Sequence, residues 1–397
     1  MEDERVTGTR AGRARVGAGV CFLLTGFVYA SWASRVPAVK DGLGLGDGGF
    51  AVALLGLEAG AVLGLQLGGI VAPRVGSRPA LVASLVAFSC ALLLPGLAPN
   101  LPVLAAGLFV FAALNSVADV AMNAQGVAVQ RLLGRPVLSG LHAMHSLGGV
   151  LGAVLGALLA GLGAAPPAQF LACAAAVVVA VLAVWPLLLP SRVDAEGSQA
   201  GEGASLAGGL RRWFGGWTGP VVVLGALAFC FALGEGAGLN WSAVYVSGPL
   251  GGSESLGAVG LGVFLGAVTL GRLAGDRLVS HFGPVSVFRV GAIVAGLGFG
   301  GALLLDAPAA GLVGLGLLGA GIANALPLAI AAGGNTPGET PATAAARVST
   351  LGYLGSFVGP ALVGGLASAT SLPLALGLPA LLVLATALGA RAVRRAG

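Results

Sequence analysis

Residues 168–190 read AQFLACAAAVVVAVLAVWPLLLP and carry no charged side chain, whereas the next stretch, 191–217, reads SRVDAEGSQAGEGASLAGGLRRWFGGW and is rich in glycine, serine and charge. An apolar run of this length crosses about 30 Å of hydrocarbon. A helix satisfies its own backbone there without water. The pair of stretches therefore predicts a transmembrane helix followed by a polar linker.

Working outward, eleven further apolar runs fill the chain, at 14–33, 50–72, 80–98, 102–130, 138–163, 218–247, 255–279, 285–305, 309–334, 344–369 and 372–391. With 168–190 they predict an all-α polytopic membrane protein of 12 spans. The segment 191–217 separates six from six. The expected organisation is an N-terminal bundle over 1–190, a cytoplasmic linker over 191–217 and a C-terminal bundle over 218–397.

Composition agrees: 57% hydrophobic and 9% charged residues lie far from the roughly 25% charged of soluble domains, which excludes a water-soluble core. Alternating the loops across the membrane puts every Lys and Arg except Arg35 and Lys40 on the side of the termini. The positive-inside rule then makes both termini cytoplasmic. The net charge of +5 follows from that orientation and from anionic headgroups, so the bilayer, and no nucleic acid, is the expected partner. The first apolar run is longer than a secretory leader's core and meets Arg35 without a small-residue cleavage site, so it is read as a retained span. Cys21, Cys90, Cys173 and Cys230 fall inside spans with neither disulfide nor metal-ligand spacing.

Two internal echoes bracket the linker. Gly64, Gly68 and Gly76 recur as Gly271, Gly275 and Gly283, and Ser139, Leu141, Ser146 and Gly149 recur as Ser349, Leu351, Ser356 and Gly359. The nearly equal offsets predict two pseudo-symmetric six-helix halves, a transporter architecture. Small-xxx-small spacings such as Gly148, Gly152 and Gly156 predict close helix packing. Gly359 with Pro360, and the stretch 332–341, are the expected bends.

Acids within spans are scarce and cost about 2.5–3.5 kcal/mol each at a helix centre. They are Glu58, Asp119 and Glu235. Asn115, Asp119 and Asn123 recur at intervals of four and form one polar stripe on the fourth helix. That stripe is either an interhelical hydrogen-bond network or a cavity face whose carboxyl binds solute, carries a proton, or both, since a carboxyl leaving water is driven toward its neutral form. No Lys or Arg is expected deep in any span to oppose this.

His142 and His145, with Ser139 and Ser146, share a face of the fifth helix. The His-x-x-His spacing lacks further ligands, so no metal is expected. Hydrogen bonding to a polar ligand or proton exchange with Asp119 suits it better, with a structural pair as the alternative. Glu235 sits within Gly234–Gly238, ahead of Asn240 and Trp241, which fits two readings equally: local unwinding at a midplane site, or a glycine-rich packing surface whose acid is satisfied by a neighbour. Trp241 is then placed to stack on a ligand. Glu58 is read as an interhelical bond, with Gln66 on its face. No Gly-Lys-Ser/Thr phosphate loop is present, so neither ATP drive nor a cofactor is expected. Nor does a nucleophile accompany the histidines, so the chain is read as no enzyme.

The stretch Gly69 to Arg78 (GIVAPRVGSR) and the stretch Gly271 to Gly283, with Asp276 and Arg277, resemble the loop motifs after the second and eighth helices of the major facilitator superfamily. In the first copy Gly69, Arg74, Gly76 and Arg78 fit, while Pro73 stands where that family usually has Asp; Asp276 supplies the acid in the second. Within the superfamily, ASWASRVPAVK (30–40), ADVAMN (118–123), GEG (234–236) and RVS (347–349) resemble the YbjJ-like branch, related to fucose permeases. The resemblance implies a secondary active transporter of a small polar solute in a bacterial inner membrane, monomeric and proton-coupled. It places solute binding or coupling on Asp119 and Asn123, with His142 and His145 on the facing helix. The first-helix acid of fucose permeases has no counterpart, and Arg35 lies in that region. Uptake of a sugar-like solute and export of a metabolite or drug both remain open, as does a membrane sensor that does not transport.

Overall fold

The computed structural model describes residues 2–134, 137–190, 217–336 and 341–396. Every regular element among them is a helix. Twelve stretches are long and apolar enough to cross a membrane: Arg10–Gly42, Asp47–Ala72, Ser77–Gly96, Leu101–Leu133, Gly140–Gly161, Pro166–Leu187, Gly219–Ser247, Glu254–Gly275, Pro284–Ala302, Pro308–Gly334, Arg347–Ala369 and Leu372–Arg394. They are numbered here as spans one to twelve. Eleven match runs read from the sequence to within about four residues, because span hydrophobicity is a local property of the chain, while the first runs nine residues past its expected end at 33, to Gly42.

The boundaries have local causes as well. Asn100, Ser253 and Ser371 begin the fourth, eighth and twelfth spans by accepting the backbone N–H of Val103, Leu256 and Leu374, which satisfies donors that a helix start leaves unpaired. Proline occupies the first turn of the fourth, sixth, seventh, ninth, tenth and twelfth spans, where its missing N–H costs nothing. Gly76 and Gly283 join spans two to three and eight to nine with φ of 90° and 75° and ψ of 150° and 156°. A side chain at either would be strained. One backbone corner, built twice from glycine, accounts for the echo between these positions.

Three spans are interrupted, and the breaks are not where glycine is densest. The first breaks at Ser34–Arg35, the third at Leu92 and the tenth at Ala323–Asn324. Of the two readings of Gly234–Gly238, unwinding fails and the packing surface holds, since the run lies inside an unbroken helix, Gly219–Ser247. Its glycines make room for neighbours instead: a Cβ at Gly236 would meet the Ser356 carbonyl, and one at Gly238 would overlap the Phe264 ring. Gly359 and Pro360 likewise lie within a continuous helix, Pro341–Ala369. Of the other expected bend, 337–340 lie outside the described residues.

The chain divides into two compact units, Met1–Leu45 with Val52–Glu202, and Gly46–Ala51 with Gly203–Gly397. In the first, spans one and five approach backbone to backbone. A Cβ at Gly148 would sit on the carbonyl of Leu23, and one at Gly26 on the carbonyl of His145. Spans two and four do the same, with Gly56, Gly60 and Gly64 against the carbonyls of Ala105, Phe109 and Ala113. In the second unit, Gly355 and Gly359 bring span eleven against the carbonyls of Phe229 and Leu233 on span seven. Lipid is as apolar as leucine, so the dispersion attraction that comes with close approach holds such helices together.

One polar clasp adds to the first unit. Fully buried Gln125 on the fourth span donates to the Ser77 hydroxyl at 2.6 Å and the Leu189 carbonyl at 3.0 Å, and accepts the Leu189 N–H at 3.0 Å. It ties the start of span three and the end of span six to span four. Gln125→Leu removes the side-chain partner of both backbone groups of Leu189, so it is expected to cost about 1–3 kcal/mol. Denaturant unfolding in detergent reads this directly, and an unchanged midpoint would remove the clasp from the account.

Candidate functional site

The fourth span carries the polar stripe on a continuous helix, Leu101–Leu133, so Asn115, Asp119 and Asn123 stand one above the other as expected. Asp119 is half-buried. Asn123 donates its amide to the Asp119 backbone carbonyl at 2.9 Å and to the Asp119 carboxylate at 3.2 Å. Among the described residues no cation pairs with Asp119. Asn115 is also half-buried, and its side-chain oxygen is shut away without a donor among the described residues. The stripe thus holds one carboxylate and one amide oxygen whose hydrogen-bonding capacity is unfilled. Such a group is a point of attachment for a hydroxyl, an amine or a proton.

On the fifth span His142 is exposed and His145 half-buried. The edge of the His142 ring meets Phe22 of the first span, with centroids 5.1 Å apart and planes at 77°. Ser146 is buried and donates to the His142 carbonyl at 3.3 Å. The Ser139 side chain lies outside the described residues. Asp119, Asn123, His142 and His145 all belong to the first unit.

Among the acids of the other spans, Glu235 follows the packing alternative, an acid satisfied by a neighbour. Glu235 has an ion-pair partner. The Arg272 guanidinium donates to its carboxylate at 2.9 Å, with the two side chains 33% and 24% exposed. Arg272 also reaches the Ala323 carbonyl at 3.4 Å, and Asn324 donates to the Gly271 carbonyl at 2.9 Å. The Arg272 pair therefore sits against the break in the tenth span. No Lys or Arg is expected deep in any span, and two cations near span ends turn inward. Arg272 belongs to span eight, and Arg35 belongs to span one, where it is fully buried and donates to the Ala164 carbonyl. Both lie near enough to span ends to be read as loop residues, and only packing shows that they turn inward.

Trp241 is corrected as well. Its side chain is fully buried, and its indole N–H donates to the Pro360 carbonyl at 3.1 Å. Both ring faces are therefore taken up by packing, and it is no platform for a ligand. Glu58, read as an interhelical bond, makes no hydrogen bond or ion pair among the described residues, while Gln66 is exposed. It lies on the opposite side of its helix from the glycine stripe at 56, 60 and 64 that packs against span four. That stripe was legible in the sequence and would have marked Glu58 as facing away from the contact.

At the loop motifs, Gly69 and Arg74 are exposed, and Arg74 reaches the Ile70 carbonyl at 3.5 Å. Arg78 lies over the Trp185 ring, 4.7 Å from its centroid. Arg277 is exposed. The side chains of Pro73 and Asp276 lie outside the described residues, and with them the expected acidic latch.

Twelve apolar helices carrying a few half-buried polar groups define a multi-pass membrane protein with the build of a solute carrier. Residues 18–360 match the family profile described as Major Facilitator Superfamily, and the chain belongs to that family, whose members are transporters and not enzymes. It is 34% identical over 96% of both chains to an uncharacterized MFS-type transporter of Yersinia pestis, and 30% identical over 89% of its own length and 84% of the relative's to the membrane protein MosC of Rhizobium meliloti. In fold it is similar to the nucleoside transporter NupG, with a TM-score of 0.71 at 14% identity, covering 96% of this chain and 98% of that one. It is also similar to a D-xylose-proton symporter, with a TM-score of 0.70 at 17% identity, covering 95% and 96%.

Proposed function

We propose that the protein is a secondary active transporter that moves a small polyhydroxylated solute across a bacterial inner membrane, coupled to protons, as a monomer with both termini in the cytoplasm. The observation that carries this reading is Asp119: a half-buried carboxylate inside a span, with an asparagine as partner and no cation among the described residues. An acid left uncompensated in a membrane segment changes charge with its surroundings. A proton and a solute that bind it differently in the inward- and outward-open states shift the balance between those states. Asn123, Asn115, His142 and His145 would hold solute hydroxyls beside it. Glu235, paired with Arg272, would serve as a further binding group. The acid-and-Asn pattern of fucose permeases, and the activities of the nucleoside transporter and the xylose symporter, favour a sugar-like cargo. That likeness leaves proton-driven export of a metabolite or drug as the second reading.

Purified protein in proteoliposomes tests this. An imposed proton gradient is expected to drive accumulation of D-xylose, L-fucose or a nucleoside, and Asp119→Asn to slow it by at least about ten-fold while leaving folding intact. Gradient-driven movement of a cationic drug in their place would establish export. Coupled flux that survives Asp119→Asn unchanged would remove Asp119 from the mechanism, and ligand binding without any flux would make the protein a sensor.

A further inference from the structure

Away from the acids, at one end of the first unit, Arg10 and Arg13 of span one and Arg78 of span three line a single pocket of about 460 Å³ with the segment Pro186–Pro190. Arg10 and Arg13 stand one turn apart on span one, and only the fold brings Arg78 to them. Arg10 and Arg13 are exposed. Arg78 is half-buried, its guanidinium lies over Trp185, and its Nε–H is shut away from solvent with no acceptor among the described residues. No described Asp or Glu lines the pocket, and none of the three arginines makes an ion pair among the described residues. Three like charges around one space repel one another.

A phosphate offsets that repulsion. Its oxygens match the planar fork of a guanidinium and accept several donors at once. The wall opposite the arginines is proline and leucine, with Leu188 and Leu189 buried, which suits the glycerol beyond a phosphate better than a second charged group. The site's height in the membrane agrees. Span one begins at Arg10 and span six ends at Leu187, beside Trp185, so the pocket sits where apolar helix gives way to headgroups, the level at which tryptophan collects and basic pockets between helices hold acidic headgroups.

We propose that Arg10, Arg13 and Arg78 form a phosphate-binding pocket at the membrane surface of the first unit, which takes the glycerophosphate of an anionic phospholipid or the same group on a free phosphomonoester.

The full-length protein in detergent micelles is titrated with phosphatidylglycerol, with phosphatidylcholine and with glycerol 3-phosphate, followed by thermal shift and by native mass spectrometry of retained lipid. Phosphatidylglycerol is expected to raise the melting temperature and stay bound, and phosphatidylcholine is not. The double variant Arg10→Gln/Arg13→Gln, both exposed positions that the fold tolerates, is expected to weaken that binding by at least about ten-fold. Arg15→Gln, exposed on the same helix but outside the pocket, is expected to bind as the unaltered protein does. Stabilisation by phosphatidylglycerol alone assigns the site to lipid, and equal stabilisation by glycerol 3-phosphate, lost in the same double variant, assigns it to a free phosphomonoester. Binding of neither, or binding that the double variant leaves unchanged, overturns the proposal.

Discussion

Gly148→Ala is expected to leave little folded protein, although it adds a single methyl group in the residue type most favourable to helices. The methyl would coincide with the carbonyl of Leu23 on span one. A side chain can rotate away from an intruder, but a helix carbonyl cannot, so spans one and five must separate along their whole contact. The cost is expected to exceed the roughly 1–3 kcal/mol typical of overpacking, because the neighbouring contacts at Gly26 and Gly152 would open together. Gly140→Ala is the matched control. It lies on the same span with nothing within 4 Å of its Cβ, and should melt at or slightly above the unaltered protein, since alanine stabilises a helix relative to glycine by about 1 kcal/mol. In the second unit Gly355→Ala, against the Phe229 carbonyl, should repeat the loss, while Gly365→Ala, with open space, should not. Thermal melting in detergent and recovery of monodisperse protein read all four. Equal melting of Gly148→Ala and Gly140→Ala would mean that spans one and five do not touch through their backbones.

The second large effect is expected at Glu235 and Arg272, and it should be non-additive. Glu235→Gln leaves a guanidinium in a membrane span without its counter-charge, and Arg272→Gln leaves a carboxylate in the same position. Each single change strands a charge where water is scarce, which is the costly way to break such a pair. The double variant Glu235→Gln/Arg272→Gln strands neither, and its two amides can still bond to each other. Folded yield is expected to fall in both singles and to recover in the double, with a coupling of about 0.5–3 kcal/mol in a double-mutant cycle. Flux is expected to stay low in all three, since the proposed binding role needs the charges themselves. Strict additivity would show that the 2.9 Å contact carries no energy. Recovery of flux in the double would reduce the pair to a structural one.

The outcomes at individual residues show where local reading ends. Asp119 and Asn123 were legible because an interval of four along one helix guarantees neighbours, and the bond between them is 2.9–3.2 Å long. Gly234–Gly238 stayed undecided in the sequence because glycine has two uses in a membrane. It frees the backbone to unwind, and it removes the Cβ so that another helix can approach, and only the position of the Ser356 and Phe264 neighbours decides which. Trp241 misled for a related reason: an aromatic near a polar run fits a ligand or a core equally well until the Pro360 carbonyl is found at its N–H.

Taken alone, the sequence determined the twelve spans, their polar separators and the two glycine corners, because hydrophobicity, capping and positive φ act over a few adjacent residues. Tertiary structure alone decided that Glu235 is paired with Arg272, that Arg35 and Trp241 are buried, and that Arg78 joins Arg10 and Arg13 in one pocket. Those facts depend on distances across helices far apart in the chain, and in a bundle where nearly every face is apolar no periodicity marks which face meets which neighbour.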